Sequence, residues 1–287
     1  MPARHSVQGT PGSLGRLGGS AMAARRWSAR RWSPRRRRLA AALVVLLAAG
    51  GIAARVLTEA GPACQQALIP AYFYPGADWA AAIGSKPPPR IMIMDVTSSG
   101  AGTAPDRNYQ AVARRARAAG ITLAGYSDTD YGRRPAAAVE ADALHYRSWY
   151  GVSDMFLDRV SGAAGDLAYY RQLSGYVHRA IPGSQVILNP GDYPDPSYMS
   201  AGDIIVAFEG SYAQYARLVV PRWADGYPAA RFAALIYGAP AALLPQASNA
   251  TRRGHAGYVY VTSESGANPY GSLPGYWPDE DATLAAC

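Results

Sequence analysis

Eight short apolar runs punctuate the chain from residue 66 onward, at 67–74, 90–95, 121–126, 154–158, 185–189, 203–209, 231–237 and 257–262. Within each run the apolar residues are nearly continuous, and Gly, Pro or polar residues bound the ends. A strand covered on one face alternates apolar with polar, whereas a strand covered on both faces does not. The runs therefore predict parallel strands sandwiched between two layers.

Between them lie segments with the three- and four-residue spacing of amphipathic helices. The stretch "PDRNYQAVARRARAAG" (105–120) opens on Pro-Asp and closes on Gly. Residues 135–151 and 166–183 behave similarly, residues 211–226 read as helix up to Pro221, and 196–200 allows only a turn or so. Eight strands with seven intervening segments predict an α/β fold, a single (β/α)8 TIM-type barrel over 64–287. A doubly wound open sheet is the alternative, but no glycine-rich phosphate loop follows the first run. The "SSGAG" stretch (98–102) reads as a flexible loop, too loose for a phosphate cradle.

Charge changes the picture at one end only. Residues 1–55 hold eleven Arg, no Lys and no acid, which leaves 17 basic residues against 20 acidic ones over 56–287. The formal charge of +8 belongs to a tail. A nucleic-acid-binding domain has a basic body, so that class of partner is excluded. The basic region 1–38 runs into a segment, 39–55, whose first sixteen residues carry no charge. This is the pattern of a secretory signal, or of a short signal anchor at 39–54 that tethers the protein to the membrane if it is not cleaved. Met22 would make a more ordinary start. The arginines are expected in the cytoplasm, and the domain is expected to be secreted or held at the outer face of the cytoplasmic membrane. A disordered basic arm would leave the apolar run unexplained.

The two cysteines, Cys64 and Cys287, lie at the two ends of the exported part. An even pair in an oxidising compartment suits a disulfide, worth roughly 4–5 kcal/mol for so long a loop if unstrained. Unpaired thiols at frayed ends are the other possibility, and "GPAC" lacks the apolar residue that a lipoprotein cysteine requires.

In a TIM barrel, chemistry gathers at the C-terminal ends of the strands. The last residues of the eight runs are Tyr74, Asp95, Tyr126, Asp158, Asn189, Glu209, Tyr237 and Thr262. Any one of them could be no more than a turn or cap residue. Together they suit glycoside hydrolysis, which needs two carboxyl groups facing a sugar. Asp158 and Glu209 are the best pair. The chain has 20 Tyr and 6 Trp against 4 Phe, and tyrosine presents a flat apolar face with a polar tip, as amphipathic sugar rings require. Asp128, Tyr131 and Tyr212 join the candidate substrate contacts. None of the four His sits at zinc-ligand spacing, no G-x-S-x-G elbow occurs, and neither a metal nor a cofactor is implied.

Several stretches resemble the spherulin-4 (spherulation-specific family 4) proteins, and through them the fungal hydrolases of galactosaminogalactan. They include "IPAYFYPGADW" (69–79), "GYSDTDYGRRP" (125–135), "WYGVSDMFLDRV" (149–160), "ILNPGDYPDPSYMSAGDIIVAFEGSY" (187–212) and "YVTSESGANPYGSLPGYW" (260–277). The resemblance implies a TIM barrel and hydrolysis of α-1,4-linked galactosamine or N-acetylgalactosamine polymers. It implies acids at Asp158 and Glu209. It also exposes a departure: where the family carries an Asp-Glu pair, this chain reads Asp158-Arg159. An Arg beside Asp158 would favour its ionised form, unless strand alternation turns Arg159 out of the mouth. Three readings stand: a monomeric exported hydrolase of amino-sugar polysaccharide, a non-catalytic carbohydrate-binding protein on the same barrel, and a structural surface protein.

Overall fold

The structure is a computed structural model that describes residues 64–285. The basic region 1–38, the apolar segment 39–55 and Cys287 lie outside the described residues, as does the Cys64–Cys287 pairing that depends on Cys287. Among the described residues no helix is long and apolar enough to cross a membrane.

All eight apolar runs form strands: β1 (Gln66–Ala71), β2 (Ile91–Met94), β3 (Thr122–Asp128), β4 (Asp154–Asp158), β5 (Val186–Leu188), β6 (Ile204–Ser211), β7 (Phe232–Tyr237) and β8 (Tyr258–Val261). They pair in chain order, every pair parallel, and β1 closes on β8. The (β/α)8 barrel expected from the periodicity is the observed fold. Each strand is nearly inaccessible along its middle, because the barrel interior fills one face and the helices cover the other.

The intervening helices are α1 (Ala77–Gly84), α2 (Arg107–Ala118), α3 (Ala136–His145), α4 (Leu167–Ala180), α5 (Tyr212–Tyr215), α6 (Leu244–Arg253) and α7 (Trp277–Ala285). Helix α2 starts where its sequence says it should: the Asp106 side chain accepts the backbone N–H groups of Asn108 and Tyr109. The region 211–226 differs from its expected helix. Only α5 forms, followed later by a 3-10 turn at Arg222–Gly226 on the far side of Pro221. Helix α3 runs on into a π turn at Tyr146–Tyr150, which carries both tyrosines into the core.

Gly125 on β3 lies under the ring of Tyr146, so close that a Cβ would sit 2.4 Å from it. The 98–102 loop, expected to be loose, is anchored instead. Gly100 and Ala101 are buried against Asp142 of α3, whose carboxylate accepts the Ala101 N–H and the Ser127 hydroxyl and pairs with Arg134 at 2.7 Å. A buried charge is tolerated there because every side of it meets a donor.

Candidate active site

Parallel strands deliver all their C-terminal ends to one rim. Asp158 ends β4, Asn189 follows β5, and Glu209 lies near the end of β6. The three side chains converge. The Asn189 amide nitrogen donates to Asp158 Oδ1 at 2.7 Å and to Glu209 Oε2 at 2.6 Å. Its own Oδ1 accepts the Gly191 N–H at 3.0 Å, which fixes the orientation of the amide. Since both accepting oxygens sit on one nitrogen, they are at most about 5.3 Å apart.

The other Asp158 oxygen accepts the Tyr126 hydroxyl at 2.8 Å. Burial pushes the Asp158 carboxyl above its ordinary range, against the hydrogen bonds from Tyr126, the Arg159 N–H and Asn189 that favour the charged form. Burial also raises Glu209, with the Asp158 charge adding to it and Asn189 and Tyr270 opposing. The Tyr270 hydroxyl faces Glu209, but its geometry falls short of a well-formed hydrogen bond. Asp158 thus accepts two side-chain hydrogen bonds and Glu209 one.

Asp95 borders the same mouth after β2. Burial raises its carboxyl too, with the Asp158 charge contributing, while Oδ1 accepts the Ser98 N–H at 2.6 Å. Tyr72 stands among these acids. Burial raises its phenol first, and the charges of Asp158, Glu209 and Asp95 add to that. Its ring meets Tyr126 and Tyr270 edge-on, at 5.4 and 5.7 Å between centroids. Neither Tyr72 nor Tyr270 is an end residue of an apolar run. Tyr72 is the first residue past β1, while Tyr270 returns to the mouth on the long loop after β8.

Tyr74 lies elsewhere. It is 58% exposed and tied to α2, donating to Asp106 at 2.9 Å and accepting from Asn108 at 2.8 Å. Tyr237 ends β7 half-buried, close enough to act on Tyr270, and Tyr212 opens α5 behind the Ser211 capping box. Thr262 is buried and accepts the Glu264 N–H, a turn role.

Arg159 does not neutralise Asp158. Its backbone takes the left-handed φ of 51°, which swings the side chain over the rim. The guanidinium pairs with Asp128 at 2.8 Å and Asp130 at 2.6 Å and lies 4.9 Å from the Tyr131 ring centre. Asp128 and Tyr131 therefore belong to an ion-paired rim beside the mouth. Among the described residues no group of three or more His, Cys, Asp or Glu is arranged to hold a metal.

A closed barrel of eight parallel strands is the TIM-barrel fold, and here its strand ends carry an amide-bridged carboxyl pair. The profile of the spherulation-specific family 4 matches residues 66–283, and the chain belongs to that family. Over 148 residues it is 36% identical to Spherulin-4 of Physarum polycephalum, a stretch spanning 50% of this chain and 44% of that protein. The fold is similar to that of Aspergillus clavatus Sph3, whose structure was solved in complex with GalNAc. The TM-score is 0.66 at 24% identity, covering 79% of this chain and 99% of Sph3. The glycoside hydrolase domain of PelA from Pseudomonas aeruginosa aligns at a TM-score of 0.45 and 16% identity, over 72% of this chain and 96% of that domain.

Proposed function

We propose that this chain is an exported glycoside hydrolase acting on galactosamine- or N-acetylgalactosamine-containing polysaccharide, with Asp158 and Glu209 as its working carboxyls. The single observation that carries the reading is the Asn189 amide shared between them. It holds two half-buried carboxyl groups with their nearest oxygens no more than about 5.3 Å apart, which favours the roughly 5–5.5 Å of retaining enzymes over the 6.5–9.5 Å of inverting ones. Asp158, with two donors on its oxygens, suits the ionised nucleophile; Glu209, half-buried and with fewer donors, suits the proton donor. Glu209 would protonate the glycosidic oxygen as Asp158 bonds to the anomeric carbon and the leaving chain departs. Glu209 would then take a proton from water, whose oxygen displaces Asp158 and restores both groups. The tyrosines Tyr72, Tyr126, Tyr237 and Tyr270 would supply apolar faces and hydroxyls to the sugar, with Asp95 beside them. The likeness to Sph3, a protein that binds GalNAc, supports the sugar class. The basic run and apolar segment ahead of residue 60 support export.

One observation favours a second reading. The position after Asp158, an acid in the family pattern, is Arg159, which fits a carbohydrate-binding protein that no longer turns over its ligand.

The test is mass spectrometry of N-acetylated and de-N-acetylated galactosamine oligomers incubated with the protein and with Glu209→Gln. Chain shortening that vanishes in the variant supports the hydrolase, and binding without shortening supports the second reading. Neither binding nor cleavage removes this substrate class.

A further inference from the structure

Asp128 and Asp158 are register partners on β3 and β4, so two carboxylates leave adjacent strands on the same side of the sheet. Only one of them belongs to the amide-bridged pair. The other is held by its own loop: Asp128 Oδ1 accepts the Asp130 N–H at 2.6 Å, and Oδ2 meets Arg159 at 2.8 Å. Arg159 also reaches Asp130 Oδ1 at 2.6 Å, the same oxygen that Arg133 meets at 2.7 Å. Asp130, Tyr131 and Arg159 all adopt left-handed backbone angles, at 47°, 56° and 51°. Three strained non-glycine residues in one cluster persist only where their contacts over-determine them. The Arg159 carbonyl accepts the Tyr131 N–H at 2.8 Å and the Thr129 hydroxyl at 3.0 Å, so the β3 and β4 loops are stitched together around this one residue.

We propose that Arg159 is a positioning residue for Asp158: it balances the Asp128 charge beside the catalytic mouth and locks the β3 loop to the β4 loop. The inference rests on Asp158 as a working carboxyl of the hydrolase reading. The Arg159 guanidinium is taken up by Asp128, Asp130 and the Tyr131 ring rather than by Asp158. Its influence runs through Asp128, whose charge bears on both Asp158 and the Tyr126 phenol that binds it.

The groups that face Asp158 are Tyr126 and Asp128 from β3, Tyr72 after β1, Asp95 after β2, Asn189 after β5 and Glu209 from β6. Besides Asp158 and Tyr126, those that face Asp128 are Arg159, Asp130, and the phenols of Tyr169 and Tyr170 on α4. Arg134 reaches the Asp128 carbonyl, but its charge is paired with Asp142. Among the described residues Arg159 is therefore the cation placed to balance Asp128.

The test titrates the Asp158 carboxyl by 13C NMR in the full chain, beside the pH profile of kcat/KM. Arg159→Gln leaves Asp128 uncompensated and is expected to raise the Asp158 titration and the acid limb by about one pH unit. Arg159→Lys should keep both near wild type. Asp128→Asn by itself should lower both, and added to Arg159→Gln it should bring them back. A purely structural clamp would not be restored by a second substitution that also breaks it. The inference is overturned if Arg159→Gln leaves the titration unmoved, or if Asp128→Asn fails to reverse the shift. The titration reads this coupling even in a chain that cleaves nothing, so an inactive wild type would sink the hydrolase reading separately.

Discussion

Tyr126 donates its hydroxyl to Asp158 across 2.8 Å from the adjacent strand. That bond favours the charged carboxylate, and its loss should raise the Asp158 pKa. Tyr126→Phe is expected to move the acid limb of kcat/KM to higher pH and to cut activity at pH 5 about tenfold, with less effect at pH 7. A pH profile that keeps its acid limb while the plateau falls would show that the hydroxyl binds substrate instead.

Among the described residues Asn189 is the one side chain bonded to both carboxyls, and it is 4% exposed. Asn189→Ala should lower kcat by about 10²- to 10³-fold with little change in KM, since it orients the reacting groups rather than binding the polymer. Asn189→Asp should be at least as severe near pH 7, because it sets a third carboxyl between two others. Steady-state kinetics, with circular dichroism to confirm the fold, check both.

The close spacing of the two carboxyls predicts retention of anomeric configuration. Proton NMR recorded in the first minutes of hydrolysis distinguishes the anomer released at once from the one that appears by mutarotation. First appearance of the inverted anomer would remove Asp158 as a nucleophile.

Glu280 on α7 gives a pH dependence of stability. It is fully buried, one oxygen accepts the Val261 N–H at 2.6 Å, and the other has no partner among the described residues. Burial holds its pKa well above the ordinary 4.5. Between the unfolded and folded values the native state binds the extra proton, so the contribution of Glu280 to stability falls as pH rises through that window. Asp281, pushed up to about 6 mainly by burial, acts in the same direction. Glu280→Gln should therefore gain on the wild type as pH rises above 4.5, by about 1.4 kcal/mol per pH unit until the folded value is passed. Thermal unfolding at pH 4, 6 and 8 reads the gap, and a constant gap would count against a protonated Glu280.

Gly125→Ala should be costly although it adds one methyl group to a strand. The new Cβ would meet the fully buried Tyr146 ring at 2.4 Å, and a packed ring cannot swing aside. A loss of about 1–3 kcal/mol is expected, read as a lowered Tm. An unchanged Tm would mean that the π turn carrying Tyr146 yields easily.

The apolar runs at 67–74, 154–158 and 231–237 announced the barrel because burial on both faces leaves its mark on consecutive residues of one strand. The same local reading reached Asp158, Asn189 and Glu209, since a parallel barrel puts every strand end on one rim. It went astray where position depends on what a loop does next. Strand β1 stops at Ala71, and Tyr72 enters the mouth while Tyr74 turns away to bond Asp106 and Asn108 at the start of α2. Tyr270 returns from a loop without periodicity, and no strand end marks it.

By itself, then, the sequence determined the strands, their parallel order and the side of the barrel on which chemistry collects, because alternation and apolar continuity are properties of neighbouring residues. Only the tertiary structure decided what those side chains do to one another. The bridging of Asp158 and Glu209 by Asn189, and the turning of Arg159 toward Asp128, depend on register between strands distant in sequence and on one left-handed backbone angle. Neither is written in the spacing of residues along the chain.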